Sequence, residues 1–297
     1  MLQFLTYIIV YPIAKLISLL PFPILYFISD LFYYLIFYVI GYRKKLVLEN
    51  MQKVFPEKSL EELKKLRQEF YHHFVDIFME MIKTSSMSLK EMHERMYLTN
   101  PDLFSGLSRE HPGVVVMTSH HANYEWLIGL NVLLDNDAYG VYKMIKNKYL
   151  NNFIVKSRAR FNCILITTKE TRQIIHQNYK RGKHGTYALI SDQSPKKRSI
   201  RYYTQFFGHE IPVYTSAEQI AKEYNYPITF FDTKKIGRGK YQTTYEVLTY
   251  SPRDFQDYEI TDLFIKKVEK QIREQPAYYF WTHDRFKHEK TSESTIS

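Results

Sequence analysis

Cysteine is almost absent: Cys163 is the single one in 297 residues. An intrachain disulfide scaffold and a cysteine-clustered zinc site are therefore both excluded. Acidic charge is in deficit, with 31 Asp+Glu against 41 Lys+Arg and a formal net charge of +10. No uninterrupted apolar run reaches the roughly 18 residues of a clean transmembrane helix. A mean hydropathy of -0.36 excludes a multi-span transporter. The N-terminus lacks a basic start and a small-residue cleavage site, so a removable signal peptide is not expected. No Pro/Gly/Ser-rich linker follows residue 60, and no internal repeat runs through the chain.

What is present is apolar, aromatic and basic. Hydrophobic residues make up 45% and charged residues 24%, which excludes a disordered chain. The basic balance calls for an anionic partner: nucleic acid, a membrane surface or a phosphorylated substrate. Of the 26 Tyr and 20 Phe, many crowd the first 42 residues, as aromatics do at membrane–water interfaces. There Lys15 and Asp30 are the only charged side chains, Pro12, Pro21 and Pro23 interrupt the apolar stretches, and Arg43, Lys44 and Lys45 follow. Residues 1–45 are expected to form one or two helices attached to the cytoplasmic face of a membrane. The alternative is a pair of buried helices in a soluble protein. Residues 46–290 read as one α/β domain, and 291–297 as a frayed polar tail.

Periodicity predicts an amphipathic helix over 59–84, opened by a Ser59–Glu62 capping box, with Phe70, Phe74, Ile77, Phe78 and Met81 on one stripe. A shorter helix is expected over 89–97. Residues 114–117 form a continuous apolar, β-branched run, the mark of a strand buried on both faces. Further strands are expected at 164–166, 187–190, 228–231 and 241–249. Helices are expected at 123–134, 169–179, 216–224 and, capped, at 261–275. Alternating strands and helices imply a mostly parallel central sheet flanked by helices.

In such sheets ligands sit beyond the carboxyl ends of the strands. Thr118-Ser119-His120-His121-Ala122-Asn123-Tyr124-Glu125-Trp126 follows the first buried strand, and Ser191-Asp192-Gln193 follows the run 187–190. His120 and Glu125 would lie about 140° apart on one helix. They meet only if His120 occupies the strand-to-helix turn and Glu125 the first helical turn. A carboxylate there holds one imidazole nitrogen and leaves the other to take a proton from a hydroxyl. Such a dyad suits acyl transfer from an activated thioester to an alcohol. His121 is a rival base, and a solvated loop histidine is the bland reading of His120. Asp192 is either a second carboxylate near the base, a substrate-hydroxyl ligand or a turn residue before Pro195. Lys196, Lys197 and Arg198, with Arg201, are candidates for a phosphorylated head group or an acidic carrier protein, or form a solvated charge run. Arg285 and Lys287 flank Phe286 and suit phosphate or surface salt bridges.

These residues resemble a family, the bacterial lipid A late acyltransferases (lauroyl and myristoyl transferases). The stretch His120–Trp126 is similar to its His-Phe-Gly-Asn-Trp-Glu signature. Asn50–Glu57 is similar to its Asn-Leu…Phe-Pro-Glu segment. Tyr142-Lys143, Asn147, Arg158 and Arg160 resemble its Tyr-Arg-Pro…Asn…Arg stretch. Ser191-Asp192-Gln193 with Phe206-Phe207-Gly208, and Trp281–Lys287, resemble its last two blocks. The resemblance spans roughly residues 1–288.

The resemblance implies a glycerolipid-acyltransferase-like fold and transfer of a fatty acyl chain to a lipid hydroxyl. The donor would be acyl carrier protein or coenzyme A, and the acceptor an anionic lipid, most simply a lipid A precursor. It implies His120 as base, Glu125 as its partner, no metal or organic cofactor, and attachment to the cytoplasmic face of the inner membrane. Arg158 or Arg160 is a candidate for the oxyanion. Departures exist: Ala122 replaces Gly, His121 an aromatic, and Lys143-Met144 an Arg-Pro pair. An aminolipid, a lysophospholipid or a pigment precursor is an alternative acceptor. The Phe-Pro-Glu-Gly block of phosphatidate-making enzymes has no counterpart, which argues against a lysophosphatidate acceptor. A non-catalytic basic module that binds membranes or nucleic acid is the reading from another class, and a catalytically dead scaffold a third. The apolar N-terminus and the His–Glu turn go unexplained by the binding module, so no nucleic-acid partner is expected.

Overall fold

The structure is a computed structural model and describes residues 2–290, with side chains for Tyr7, Ile8 and residues 10 onward. The expected tail, 291–297, lies outside the described residues. In chain order the elements are α1 (Leu2–Leu19), α2 (Phe22–Tyr34, continued by a π-helical turn Leu35–Ile40), α3 (Lys44–Val54), α4 (Leu60–Lys83), α5 (Leu89–Arg95), β1 (Met96–Leu98), α6 (Pro101–Glu110) and β2 (Gly113–Thr118). A 3-10 segment, Trp126–Leu133, leads to β3 (Asp137–Tyr142), α7 (Lys148–Ala159), β4 (Cys163–Thr167), α8 (Thr171–Lys180) and β5 (Gly185–Ile190). Then come β6 (Tyr202–Phe206), β7 (His209–Val213), α9 (Ser216–Tyr224), β8 (Ile228–Gly237), β9 (Lys240–Thr249) and α10 (Glu259–Glu274).

Seven strands form one sheet in the order β1-β9-β8-β2-β5-β3-β4. All neighbours are parallel except the hairpin β8–β9. The expected α/β architecture with a mostly parallel sheet is therefore present. A separate antiparallel hairpin, β6–β7, stands beside it. β2 is central because all six of its residues are buried. Val115 and Met117 join the core on one face, and Val114 and Val116 that on the other. The chain leaves β2, builds β3 and β4, and returns to place β5 between β2 and β3. That reversal opens a crevice beyond the carboxyl ends of β2 and β5.

Several local expectations shift. Residues 123–134 form a 3-10 segment from Trp126 rather than an α-helix. The helix expected at 261–275 starts at Glu259 behind Tyr258, at φ 74° and with no side-chain cap. The Thr261 hydroxyl instead donates to the buried Glu218 carboxylate at 2.6 Å. Also unanticipated were α3, α6, α7, β3, the β6–β7 hairpin and β1, which takes the end of the helix expected over 89–97. Cys163 is a buried side chain of β4, as a small core residue should be.

α4 opens with the expected capping box, Ser59 and Glu62 bonding each other's backbone amides at 3.3 and 2.8 Å. Phe70, Phe74 and Ile77 are buried, but Phe78 on the same stripe is 40% exposed. Between the apolar positions runs a buried polar row: His73, Asp76, Glu80 and Lys83. It fastens α2 to the domain. Tyr26 donates to Glu80 at 2.7 Å, Ser29 to Asp76 at 2.7 Å, and Lys83 to the Leu20 carbonyl at 2.9 Å. Arg238, from the β8–β9 turn, clamps Asp76 and Asp30 together. Facing away from these contacts, Ile24, Phe27, Leu31, Phe32, Leu35, Val39 and Ile40 are exposed. The stretch Phe22–Ile40 is long and apolar enough to cross a membrane.

Candidate active site

The register of β2 and β5 builds the site. Met117 pairs with Leu189 and Thr118 with Ile190, and the Ser191 amide continues the ladder to the Thr118 carbonyl at 3.1 Å. Two residues further on, His120 and Asp192 therefore stand opposite each other. His120 Nδ1 lies 2.7 Å from Asp192 Oδ1, and the His120 backbone amide donates to Oδ2 at 3.0 Å. Asp192 is buried, so its carboxylate has little water to compete for it. Burial works against its charge, but the His120 ring, the two hydrogen bonds and the nearby Arg285 guanidinium outweigh this and hold the carboxyl below its ordinary value.

An ionised Asp192 at Nδ1 assigns the ring proton to that nitrogen, which leaves Nε2 as an acceptor. The Gln193 side-chain amide nitrogen sits 3.3 Å from Nε2. Tyr124 and Phe280 flank the imidazole with ring centroids at 4.7 and 5.6 Å. One imidazole nitrogen is thus held by a buried carboxylate, and the other meets the Gln193 amide, with two aromatic rings beside the imidazole and the side chain 17% exposed.

His121 occupies a different environment. Its ring nitrogens each lie 3.1 Å from a backbone carbonyl, of Thr233 and of Gln275. Burial pushes its pKa down. Kept neutral and 2% exposed, it can donate its single N–H to one of these carbonyls and packs inside the turn, whereas the His120 side chain is 17% exposed. The same turn pairs with the C-terminal strap: the Phe280 amide donates to the His120 carbonyl at 3.0 Å, and the Ala122 amide to Tyr278 at 2.9 Å. Ala122 adopts φ 50°, a left-handed conformation that disfavours a Cβ. It is fully buried beneath the crevice.

Two other residues of the stretch anchor it to α4. Asn123 donates to Glu80 at 2.6 Å and accepts from the Trp126 amide at 2.9 Å. The Trp126 indole donates to Thr84 Oγ1 at 3.0 Å. Glu80 also accepts from Tyr241 at 2.8 Å. Full burial, then the neighbouring Asp76 charge, raise the Glu80 pKa to about 7.

The carboxylate of Glu125 is not on the imidazole. It faces Arg158 of α7 in an ion pair, both side chains only about 15% exposed. The Nδ1 partner is Asp192, which sequence spacing left as one of three readings. Arg160 is held by the carbonyls of Thr84, Ser85 and Met87, so its guanidinium braces the turn after α4. Lys196, Lys197 and Arg198 are exposed around a short 3-10 turn. Lys287 is exposed as well. Of the two readings of Arg285, burial at 2% exposed removes the surface salt bridge. It donates to Ser194 Oγ and to the Pro212 carbonyl, both at 2.9 Å. Its Nε and Nη2 are buried without a hydrogen-bond partner among the described residues. His283, held neutral with its pKa pushed down to about 4 by burial and by Arg285, accepts the Ser194 amide at 3.0 Å. The Trp281–Lys287 block thus shapes the loop that carries Asp192. Gln193 and the Glu80 anchor have only one sequence signal each: a place beside Asp192, and a polar row at helical spacing.

Among the described residues no cluster of three or more His, Cys, Asp or Glu side chains is arranged to hold a metal. The profile of the bacterial lipid A biosynthesis acyltransferases matches residues 1–288. The lipid A biosynthesis lauroyltransferase of Escherichia coli (strain K12) is 23% identical over 279 residues, covering 92% of this chain and 88% of that one. The chain belongs to the lipid A biosynthesis acyltransferase family.

Proposed function

We propose that this lipid A biosynthesis acyltransferase moves a fatty acyl chain from a thioester, carried by acyl carrier protein or coenzyme A, to a hydroxyl of a lipid A precursor. The observation that carries the proposal is His120, with Nδ1 on a buried carboxylate and Nε2 met by the Gln193 side-chain amide, a neutral partner that an incoming hydroxyl can replace. The acceptor hydroxyl displaces Gln193 and gives its proton to Nε2 as its oxygen attacks the thioester carbonyl. Asp192 orients the ring and stabilises the imidazolium. The tetrahedral oxyanion collapses, the carbon–sulfur bond breaks, and the imidazolium returns the proton to the departing thiolate. Glu125 acts through Arg158, holding the guanidinium beside the crevice for the oxyanion. Arg160, already spent on three carbonyls, is the weaker candidate. Lys196, Lys197, Arg198 and Lys287 form an exposed basic rim suited to the acidic carrier or to lipid phosphates.

The enzyme is proposed to work on the cytoplasmic face of the inner membrane with α1 and α2 lying along the bilayer. A span through α2 would draw Asp30, Asp76 and Arg238 into hydrocarbon, which is costly. The apolar outward face of α2 suits immersion at the interface instead. The test is mass spectrometry of a purified reaction with an acyl thioester and a lipid A precursor. A gain of one acyl chain by wild type, lost in His120→Ala with an unchanged melting temperature, is expected. Near-wild-type turnover in His120→Ala would overturn the mechanism.

A further inference from the structure

A cavity of about 280 Å³ lies between α1 and α7, apart from His120. Tyr7, Tyr11 and Lys15 recur every fourth residue and so share one face of α1. Opposite them stand Tyr149, Phe153, Lys156, Ser157 and Arg160 of α7 and its end. The rings interlock: Tyr7 stacks on Tyr149 at 5.2 Å, and Tyr11 meets Phe153 edge-on at 5.5 Å. Among the described residues no acidic side chain lines the cavity. Lys15 and Lys156 have no ion-pair partner among the described residues, while Arg160 adds a third positive charge. Two lining hydroxyls, Ser85 and Ser157, are buried with no hydrogen-bond partner among the described residues, and Ser157 is 8% exposed. Buried polar groups are normally satisfied. Cations, unmet hydroxyls and an aromatic collar together call for an anion rich in acceptor oxygens, carried at a membrane surface.

We propose that this cavity binds the phosphate of a lipid head group. The proposal rests on the reading that α1 and α2 lie along the bilayer, because that places the cavity mouth at head-group depth. The phosphate belongs either to the acyl acceptor or to a bilayer phospholipid. Arg158, the residue after Ser157, reaches Glu125 on the catalytic turn, so an occupant would sit next to the active-site wall.

The test uses the full-length enzyme and a Lys15→Gln/Lys156→Gln variant, with Lys180→Gln/Lys266→Gln as a charge-matched control. In one arm, flotation measures binding to phosphatidylcholine vesicles with and without phosphatidylglycerol. In the other, kinetics in detergent micelles compare a phosphorylated lipid A precursor with its phosphatase-treated form. A bilayer lipid predicts about tenfold weaker binding to the anionic vesicles for the cavity variant alone. A phosphate on the acceptor predicts a KM about tenfold higher for the phosphorylated precursor, with kcat kept. The proposal is overturned if the cavity variant matches the control in both arms. Failure of wild type to acylate any lipid would count against the enzymatic reading, and the vesicle arm would still report on the cavity.

Discussion

Replacing Asp192 by Asn separates the roles of Asp192 and Glu125 around His120, the proposed base. The change is nearly isosteric, and the Asn oxygen can still accept the His120 amide now bonded at 3.0 Å. The 2.7 Å contact at Nδ1 is lost in its present form. A hydrogen bond to a charged, buried partner is worth about 1.5–3 kcal/mol, and this one strengthens as the ring becomes imidazolium. If the Asn amide group turns toward Nδ1, it also forces the proton onto Nε2 and removes the base. A barrier increase of about 3–5 kcal/mol follows, or a turnover loss of roughly 10²–10⁴-fold. Single-turnover acyl transfer from a thioester donor measures it, with a melting curve to establish that the variant is folded. Glu125→Gln is the companion, because it leaves the Nδ1 contact intact. Asp192→Asn within threefold of wild type, alongside a Glu125→Gln loss of 10³-fold or more, would refute the Asp192 assignment and restore Glu125 as the orienting carboxylate.

Other outcomes follow from the same geometry. Glu125→Gln and Arg158→Gln should each lower kcat about 10–100-fold and be strongly non-additive, since each leaves the other poorly paired; the double variant's kcat, if equal to the product of the single losses, would deny the coupling. At position 122, thermal melting should rank Gly at or above the native Ala, and both far above Val, because φ 50° in a buried turn penalises a β-branched residue by about 2 kcal/mol or more. Glu80, with a folded pKa of about 7 against an ordinary 4.5, keeps a proton that the unfolded chain releases. Its contribution is therefore complete below pH 4.5 and lost as pH rises through 7, on the order of 3 kcal/mol in all. Denaturant midpoints measured between pH 5 and 8 should fall less steeply with pH in Glu80→Gln than in wild type; parallel curves would show that Glu80 does not titrate in this window.

The sequence by itself determined what short-range patterns determine. The apolar run 114–117 can be satisfied only by a strand covered on both faces, and β2 is that strand. The Ser59–Glu62 box fixed the start of α4, and the buried run placed His120 in the turn just after β2. The stretch 123–134 misled because its apolar spacing fits a helix, whereas Asn123 caps Trp126 and turns toward Glu80, a contact set by α4.

Tertiary structure alone decided which carboxylate meets His120. Glu125 is five residues away along the chain and Asp192 is seventy-two, yet the parallel register of β2 and β5 places Asp192 opposite the imidazole. No periodicity reports which strands become neighbours, because β5 enters beside β2 only after β3 and β4 have been laid down. The same holds for Arg285, which looks like a surface charge in sequence and becomes buried once the C-terminal strap closes over the loop of Asp192. The residue types were legible one by one, while their partners were fixed by strand order and register, which are properties of the whole chain.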